Sequence, residues 1–341
     1  MTSLRSDTAG HLTVRGPADL IQTVPFLLGF QPEQSLVLVG LDAGQVVVTV
    51  RIDLPGIGRD TTLRAAITAM HEGGGHDLVA AVFATAPVIG HAEPLPWSEV
   101  LADVVAEAER AGSTVLDGLL VVDGRYWSYL CTDEACCPAG GRELPGDSTP
   151  VIAAATYAGM VALPSRSSVE SLLEPAADEV RAQLVPAIEV CEHGHVDALL
   201  SGSGERHDRS VKRAIFAAAR SADLPGADAG DHSREDIVRF GVALSRYPIR
   251  DAVWMAIDDG RIDGRELWRT MALRLPSPYD AAPLFLFGWA NWRAGNGALA
   301  GIAAERAVAS DPTYSAADLL LAALSRGVDP RRLPRLRNRS A

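Results

Sequence analysis

Three of the chain's four cysteines fall in one short segment, Trp127-Ser128-Tyr129-Leu130-Cys131-Thr132-Asp133-Glu134-Ala135-Cys136-Cys137-Pro138, directly after a run that reads as a buried strand. Thiols placed on a loop at a strand end can bind a soft metal, cross-link or react, whereas thiols scattered along apolar faces fill space. A tetrahedral zinc site needs four ligands, and Cys131, Cys136 and Cys137 supply three; Cys191, His193 or His195 completes the set only if the helical half folds back. A local disulfide from Cys131 to Cys136 or Cys137 is geometrically open, and a nucleophilic thiol needs a base that the neighbouring sequence lacks. Buried structural thiols, a metal site and redox or catalytic chemistry therefore all stand as readings. The candidate functional loop comprises Trp127, Tyr129, Cys131, Asp133, Cys136 and Cys137, with the three cysteines as the metal-ligand candidates and zinc or another soft metal as the cofactor they would hold.

Other motifs carry less. His71-Glu72-Gly73-Gly74-Gly75-His76 has histidines at either end, but they are five apart and three glycines end the helix, so they cannot share one helical face. Gly56-Ile57-Gly58 lacks the third glycine of a dinucleotide fingerprint, Thr61 standing in its place. Cys191-Glu192-His193-Gly194-His195 offers three ligand types at alternate positions and reads as an exposed helix end. Gly202-Ser203-Gly204 is a linker signal, not a hydrolase elbow.

The elements that must position the thiol loop follow from periodicity. Ser35 to Leu41 and Gln45 to Leu54 read as a hairpin around Asp42-Ala43-Gly44, Thr61 to His71 as a helix, Leu78 to Ala84 as a strand and Trp97 to Ala111 as a helix opened by Ser98. Thr114 to Val122 is a further strand, and Arg125 to Leu130 its hairpin partner across Asp123-Gly124. That partner delivers the chain to Cys131, where Asp133 and Pro138 predict a short turn that returns Cys136 and Cys137 towards it. Strands interleaved with helices predict an α/β domain with a mixed sheet over residues 1–165.

Beyond Ser148 the strand signal vanishes. Ser148-Thr149-Pro150 predicts a cap and first turn for a helix through Met160, and helices follow at Ala176 to Glu189, Arg206 to Ala222, Arg234 to Arg246, Ile249 to Ile257, Arg265 to Leu275, Tyr279 to Ala294, Ala298 to Ala309 and Ala316 to Ser325. Residues 166–330 are thus expected to form an all-α helical array, with Leu224 to Asp231 its most flexible connection. Phe287, Gly288, Ala300, Ala307 and Pro312 match part of a tetratricopeptide unit, predicting one repeat-like hairpin. Residues 331–341, rich in arginine, predict a basic flexible tail.

Composition excludes some classes. With 31 basic against 43 acidic side chains the formal net charge is -12, which opposes counterion-release binding, so no nucleic acid is expected as a partner. No apolar run is long enough to cross a membrane and the first residues are polar, so no membrane partner and a cytoplasmic location are expected. Lys212 is the only lysine, a bias that suggests a GC-rich genome.

Gly16-Pro17-Ala18-Asp19-Leu20, Val24 through Pro32, Ser35 through Val39 and Arg51-Ile52-Asp53-Leu54-Pro55 resemble the opening of an uncharacterised actinobacterial family, domain of unknown function 4192. Tyr126 through Tyr129 with Cys131, Cys136-Cys137-Pro138, Leu163 through Arg166, Trp289 through Gly297 and Asp311-Pro312 with Tyr314-Ser315 extend the resemblance over nearly the whole chain. It implies an actinobacterial origin and carries no activity, cofactor or catalytic residue. Two functional expectations follow. The first is a binding or scaffold protein whose helical half presents a protein partner or self-association surface, which fits the lack of a complete catalytic constellation. The alternative is an enzyme or a redox or metal sensor with its site at the Trp127 to Pro138 loop.

Overall fold

The computed structural model describes residues 2–5, 11–54, 60–85, 95–224, 232–331 and 333–336. Gly56-Ile57-Gly58 and most of the Leu224 to Asp231 connection lie outside them. The chain divides into two compact units, residues 1–169 with 325–329 and residues 170–324 with 330–341.

The first unit carries an antiparallel pair, β1 (Thr2–Arg5) with β2 (His11–Val14), and a six-stranded mixed sheet. The sheet is built from β3 (Ser35–Asp42), β4 (Gln45–Asp53), β5 (Asp77–Phe83), β6 (Thr114–Val122), β7 (Arg125–Ser128) and β8 (Arg142–Glu143), in the order β4-β3-β5-β6-β7-β8. Only β5 and β6 run parallel, and the connection that parallel pairing requires is α3 (Ser98–Ala111). Two hairpins flank this core. Asp42 pairs with Gln45 around Ala43 and Gly44, and Val122 pairs with Arg125 around Asp123 and Gly124. All four loop residues have positive φ, the conformation whose twist matches the flanking strands in a two-residue turn. β7 ends at Ser128, two residues before the expected limit, although the Tyr129 N–H still donates to the Gly118 carbonyl at 2.8 Å.

Both sheet faces are covered, which is why β3 and β5 read as almost continuous apolar runs. On one face Leu36, Leu38, Leu78, Ala80, Val82, Leu120, Val122 and Trp127 pack with Leu63, Ile67 and Met70 of α2 (Asp60–Glu72) and with Leu101 and Val104 of α3. A β-carbon on Gly118 would stand 2.6 Å from the Leu101 side chain, so glycine is what lets α3 lie this close to β6. Glu107 of α3, 8% exposed, ties the two helices together by accepting from Arg64 of α2 through Nε and Nη2, each at 3.2 Å, and by pairing with Arg110. Residues that alternate to the other face, Val37, Val39 and Ala81, are equally buried. Before the sheet comes α1 (Pro17–Leu28), a helix that the strand-and-turn reading does not anticipate; it packs on α4 (Pro150–Tyr157). Thr149 precedes α4 without capping it, because its hydroxyl donates to Gln22 Oε1 of α1 at 2.8 Å.

The short α5 (Arg166–Ser171), also unanticipated, leads into the second unit. There the expected helix over 176–189 is two helices, α6 (Asp178–Ala182) and α7 (Val185–Leu200), divided where Pro186 enters the first turn of α7. They are followed by α8 (Gly204–Ala222), α9 (Arg234–Leu244), α10 (Tyr247–Asp258), α11 (Arg265–Arg274), α12 (Ala281–Arg293), α13 (Gly297–Ser310) and α14 (Ser315–Ser325). α12 is buried from Ala281 to Trp292, and Trp254 of α10 meets Phe285 and Trp289 edge to face, centroids 4.9 Å apart in both pairs. Trp289 Nε1 donates to the buried Asp258 at 3.2 Å, as does Arg293 Nε at 3.1 Å. Within the arginine-rich tail, the Leu336 N–H donates to the same carboxylate; Arg332, Arg337 and Arg339 lie outside the described residues. α12 and α13 approach closely at Gly288, where a β-carbon would lie 3.2 Å from the Ala300 carbonyl oxygen.

Candidate functional site: the thiol loop

The loop between β7 and β8 starts and ends on neighbouring strands, so its ends are fixed by the sheet. Three side chains of β7 and its continuation anchor it. Trp127, on the α2/α3 face, sends its indole N–H across the loop to the Ala139 carbonyl at 3.0 Å. Ser128 donates to Asp117 Oδ1 of β6 at 2.8 Å, and its hydroxyl oxygen accepts from the N–H groups of Leu130, 3.2 Å, and Cys131, 3.1 Å. Tyr129 donates its hydroxyl to the Pro96 carbonyl at 2.6 Å, and burial pushes this phenol well above its ordinary range, so it remains a neutral donor.

Asp133 then makes the turn in two ways. Its carboxylate accepts from the Ala135 N–H at 2.9 Å, and its carbonyl accepts from both Cys136, 3.0 Å, and Cys137, 2.6 Å. The second pair of bonds swings the two cysteines back towards Cys131. Arg142 of β8 donates to the Ala135 carbonyl at 3.4 Å, and Arg125 to the carbonyls of Gly140, 3.1 Å, and Gly141, 3.2 Å. Gly141 has a φ of +71° and lies against the Trp127 ring, where a β-carbon would be 2.4 Å from Cε2.

The outcome is a group of three sulfurs, those of Cys131, Cys136 and Cys137, all within 4.8 Å of one another. All three cysteines are free thiols; Cys136 is exposed and the other two half-buried. Their acidities are split. The Cys137 thiol donates to the Cys131 sulfur and, with the Asp133 backbone N–H, holds the Cys131 thiol below its usual value. Burial, followed by that same donated bond, pushes Cys137 up to about 12. The same bond therefore favours ionisation of Cys131 over that of Cys137.

The remaining motifs have their own settings. Cys191, His193 and His195 lie along the middle of α7, not at its end: His193 Nδ1 bonds the Glu189 carbonyl at 2.7 Å, while His195 faces Arg246, the residue that precedes α10, at 3.0 Å. Burial, then the Arg246 charge, holds His195 below the ordinary imidazole range. His71 and His76 do meet, Nδ1 to Nδ1 at 3.4 Å, across the glycine turn that separates them in the chain, and His71 Nδ1 is also 2.9 Å from Ser113 Oγ. Among the described residues no third ligand-type side chain joins them.

Asp117 and Gly141 are the loop supports that periodicity alone misses. Asp117 left one trace, a carboxylate inside an otherwise apolar strand; Gly141 left none, since its need for glycine arises only when Trp127 folds over it.

No curated protein and no solved structure matches the chain. The family model for a domain of unknown function (DUF4192) matches residues 17–331, which include every residue of the thiol loop and all the helices of the second unit, and the chain therefore belongs to that family.

Proposed function

We propose that the chain is a binding protein whose ligand-bearing centre is the thiol loop, a soft-metal site made by Cys131, Cys136 and Cys137. The observation that carries this reading is the mutual approach of the three sulfurs within 4.8 Å. A tetrahedral zinc ion with Zn–S bonds of ~2.3 Å sets sulfurs about 3.8 Å apart, so side-chain rotation of about an ångström suffices to complete the triad. A disulfide requires closure to about 2.0 Å, a larger displacement for any pair at the outer limit of the group. Among the described residues of the first unit no fourth protein ligand joins the three. The fourth position would then be taken by a small exogenous donor, which suits an exchangeable, sensing centre better than a closed structural one.

A second reading, a local dithiol switch, is favoured by the split between Cys131 and Cys137. In exchange with a small disulfide, the Cys131 thiolate would attack one sulfur and release one thiolate. Cys137, giving up its proton, would then displace Cys131's partner to leave a Cys131–Cys137 disulfide and a second released thiol. Either chemistry would suit a reducing cytoplasm, which is the location proposed, and the arginine bias with the family resemblance supports an actinobacterial source. The helical unit is proposed to offer the protein partner or self-association surface. No described helix is long and apolar enough to cross a membrane.

Elemental analysis of untagged protein tests the metal reading. It predicts close to one equivalent of a soft metal per chain, lost in Cys131→Ser. A metal-free protein that also fails to take up zinc would overturn it.

A further inference from the structure

On the sheet face opposite Trp127, a cavity of about 490 Å³ lies where the starts of α1 and α4 meet the β7–β8 ladder. Tyr126 and Arg142, paired in that ladder, line one side, and Arg15 with the first turn of α1 lines the other. Tyr126 is 9% exposed, and its hydroxyl has no partner among the described residues. That hydroxyl is open to the cavity, where it can donate to a ligand atom. The Arg15 guanidinium likewise has no described partner; only its backbone N–H is bonded, to Asp19 Oδ2 at 3.0 Å. Arg142 spends one stretched bond, 3.4 Å, on the thiol loop.

Two helix starts add donors to the same space. Gly16 has no side chain with which to cap α1, and Thr149, committed to Gln22, does not cap α4. Pro17 and Pro150 lack N–H groups, so the first-turn amides of Ala18, Asp19 and Val151, which line the cavity, have neither an intrahelical acceptor nor a capping side chain. Asp19 is the one carboxylate in the lining, and it is turned to the Arg15 amide.

We infer that this cavity binds a small phosphate monoester, with its head between Arg15 and Arg142, a phosphate oxygen accepting from the Tyr126 hydroxyl, and its organic body against Pro17, Pro150 and Ala154. The donors outnumber what a carboxylate can accept: two guanidinium groups, a phenol and the first-turn amides of two helices suit three terminal oxygens carrying a double charge. The volume exceeds that of phosphate alone and falls in the range of small-molecule sites, which is the reason for assigning an organic body. This site is independent of the metal reading, since it uses none of the thiols.

Calorimetric titration of the full chain with phenyl phosphate, inorganic phosphate and benzoate tests it. Phenyl phosphate is expected to bind with a Kd of about 1 mM or tighter, inorganic phosphate more weakly, and benzoate weakest. Arg15→Gln should weaken phenyl phosphate about tenfold, and Tyr126→Phe about fivefold with thermal stability unchanged. Arg142 is left intact because it also supports the thiol loop. Arg15 is exposed, so its variant reads out binding even if Tyr126→Phe folds poorly. Absence of saturable phenyl phosphate binding, equal affinity in wild type and Arg15→Gln, or tighter binding of benzoate would overturn the inference.

Discussion

The indole N–H of Trp127 reaches the carbonyl of Ala139 at 3.0 Å, joining the strand that enters the thiol loop to the segment that leaves it. One side chain thereby belongs both to the hydrophobic core shared with α2 and α3 and to the loop that gathers the sulfurs. The stability of the sheet and the geometry of the thiols are coupled through it.

Gly141→Ala tests that coupling. The substituted β-carbon would meet the Trp127 ring from a backbone at φ +71°, combining left-handed strain with overpacking. A loss of about 1–3 kcal/mol in unfolding free energy is expected, with disturbed reactivity of all three loop thiols. Denaturant unfolding together with thiol titration would show it. Unchanged stability would mean that Trp127 moves aside freely and does not set the loop.

The opposite shifts of Cys131 and Cys137 predict an order of alkylation. Cys131, held below the ordinary thiol value, should be the first of the loop thiols to react as pH rises, with its midpoint lower than that of a free cysteine. Cys137, pushed up to about 12, should stay unreactive through neutral pH. Its midpoint should fall once Cys131 is blocked, because part of its elevation comes from the bond to Cys131. Iodoacetamide labelling with peptide mapping of metal-free protein reads this; Cys137 reacting ahead of Cys131 would refute the assignment.

Much of this arrangement was legible in the sequence because it is local. Alternating apolar runs and the Asp42-Ala43-Gly44 and Asp123-Gly124 turns fix both hairpins, and the second hairpin places Cys131 at a strand end. The return of Cys136 and Cys137 is likewise written in Asp133, whose side chain and carbonyl both accept from residues just ahead. What could not be read depends on tertiary partners. α1 contains an internal proline, Pro25, and is stabilised by α4, more than a hundred residues away. α7 continues past Gly194 because its neighbours α8 and α9 hold it, so the Cys191 to His195 cluster sits mid-helix where local propensity suggested an end. Thr149 has the composition of a cap and is instead taken by Gln22.

Glu107 makes acid stability testable. Arg64, and next Arg110, hold its carboxyl below the ordinary glutamate value. A folded-state value below the unfolded one gives a stabilisation that is fully present above the unfolded value and lost as pH falls through the folded one. The Tm advantage of wild type over Glu107→Gln should therefore be largest at neutral pH and shrink on acidification through the carboxylate range. A pH-independent difference between the two proteins would assign the contribution to packing of α2 on α3 instead of to charge.

If Cys131, Cys136 and Cys137 bind metal as one group, peptide-mapped thiol modification with and without zinc will show it. Stoichiometric zinc is expected to protect all three cysteines together and to leave the labelling of Cys191 unchanged, with protection lost for the remaining pair in Cys136→Ser. Labelling of the loop cysteines that zinc does not alter, or protection that extends to Cys191, would show that the three do not form a metal site of their own.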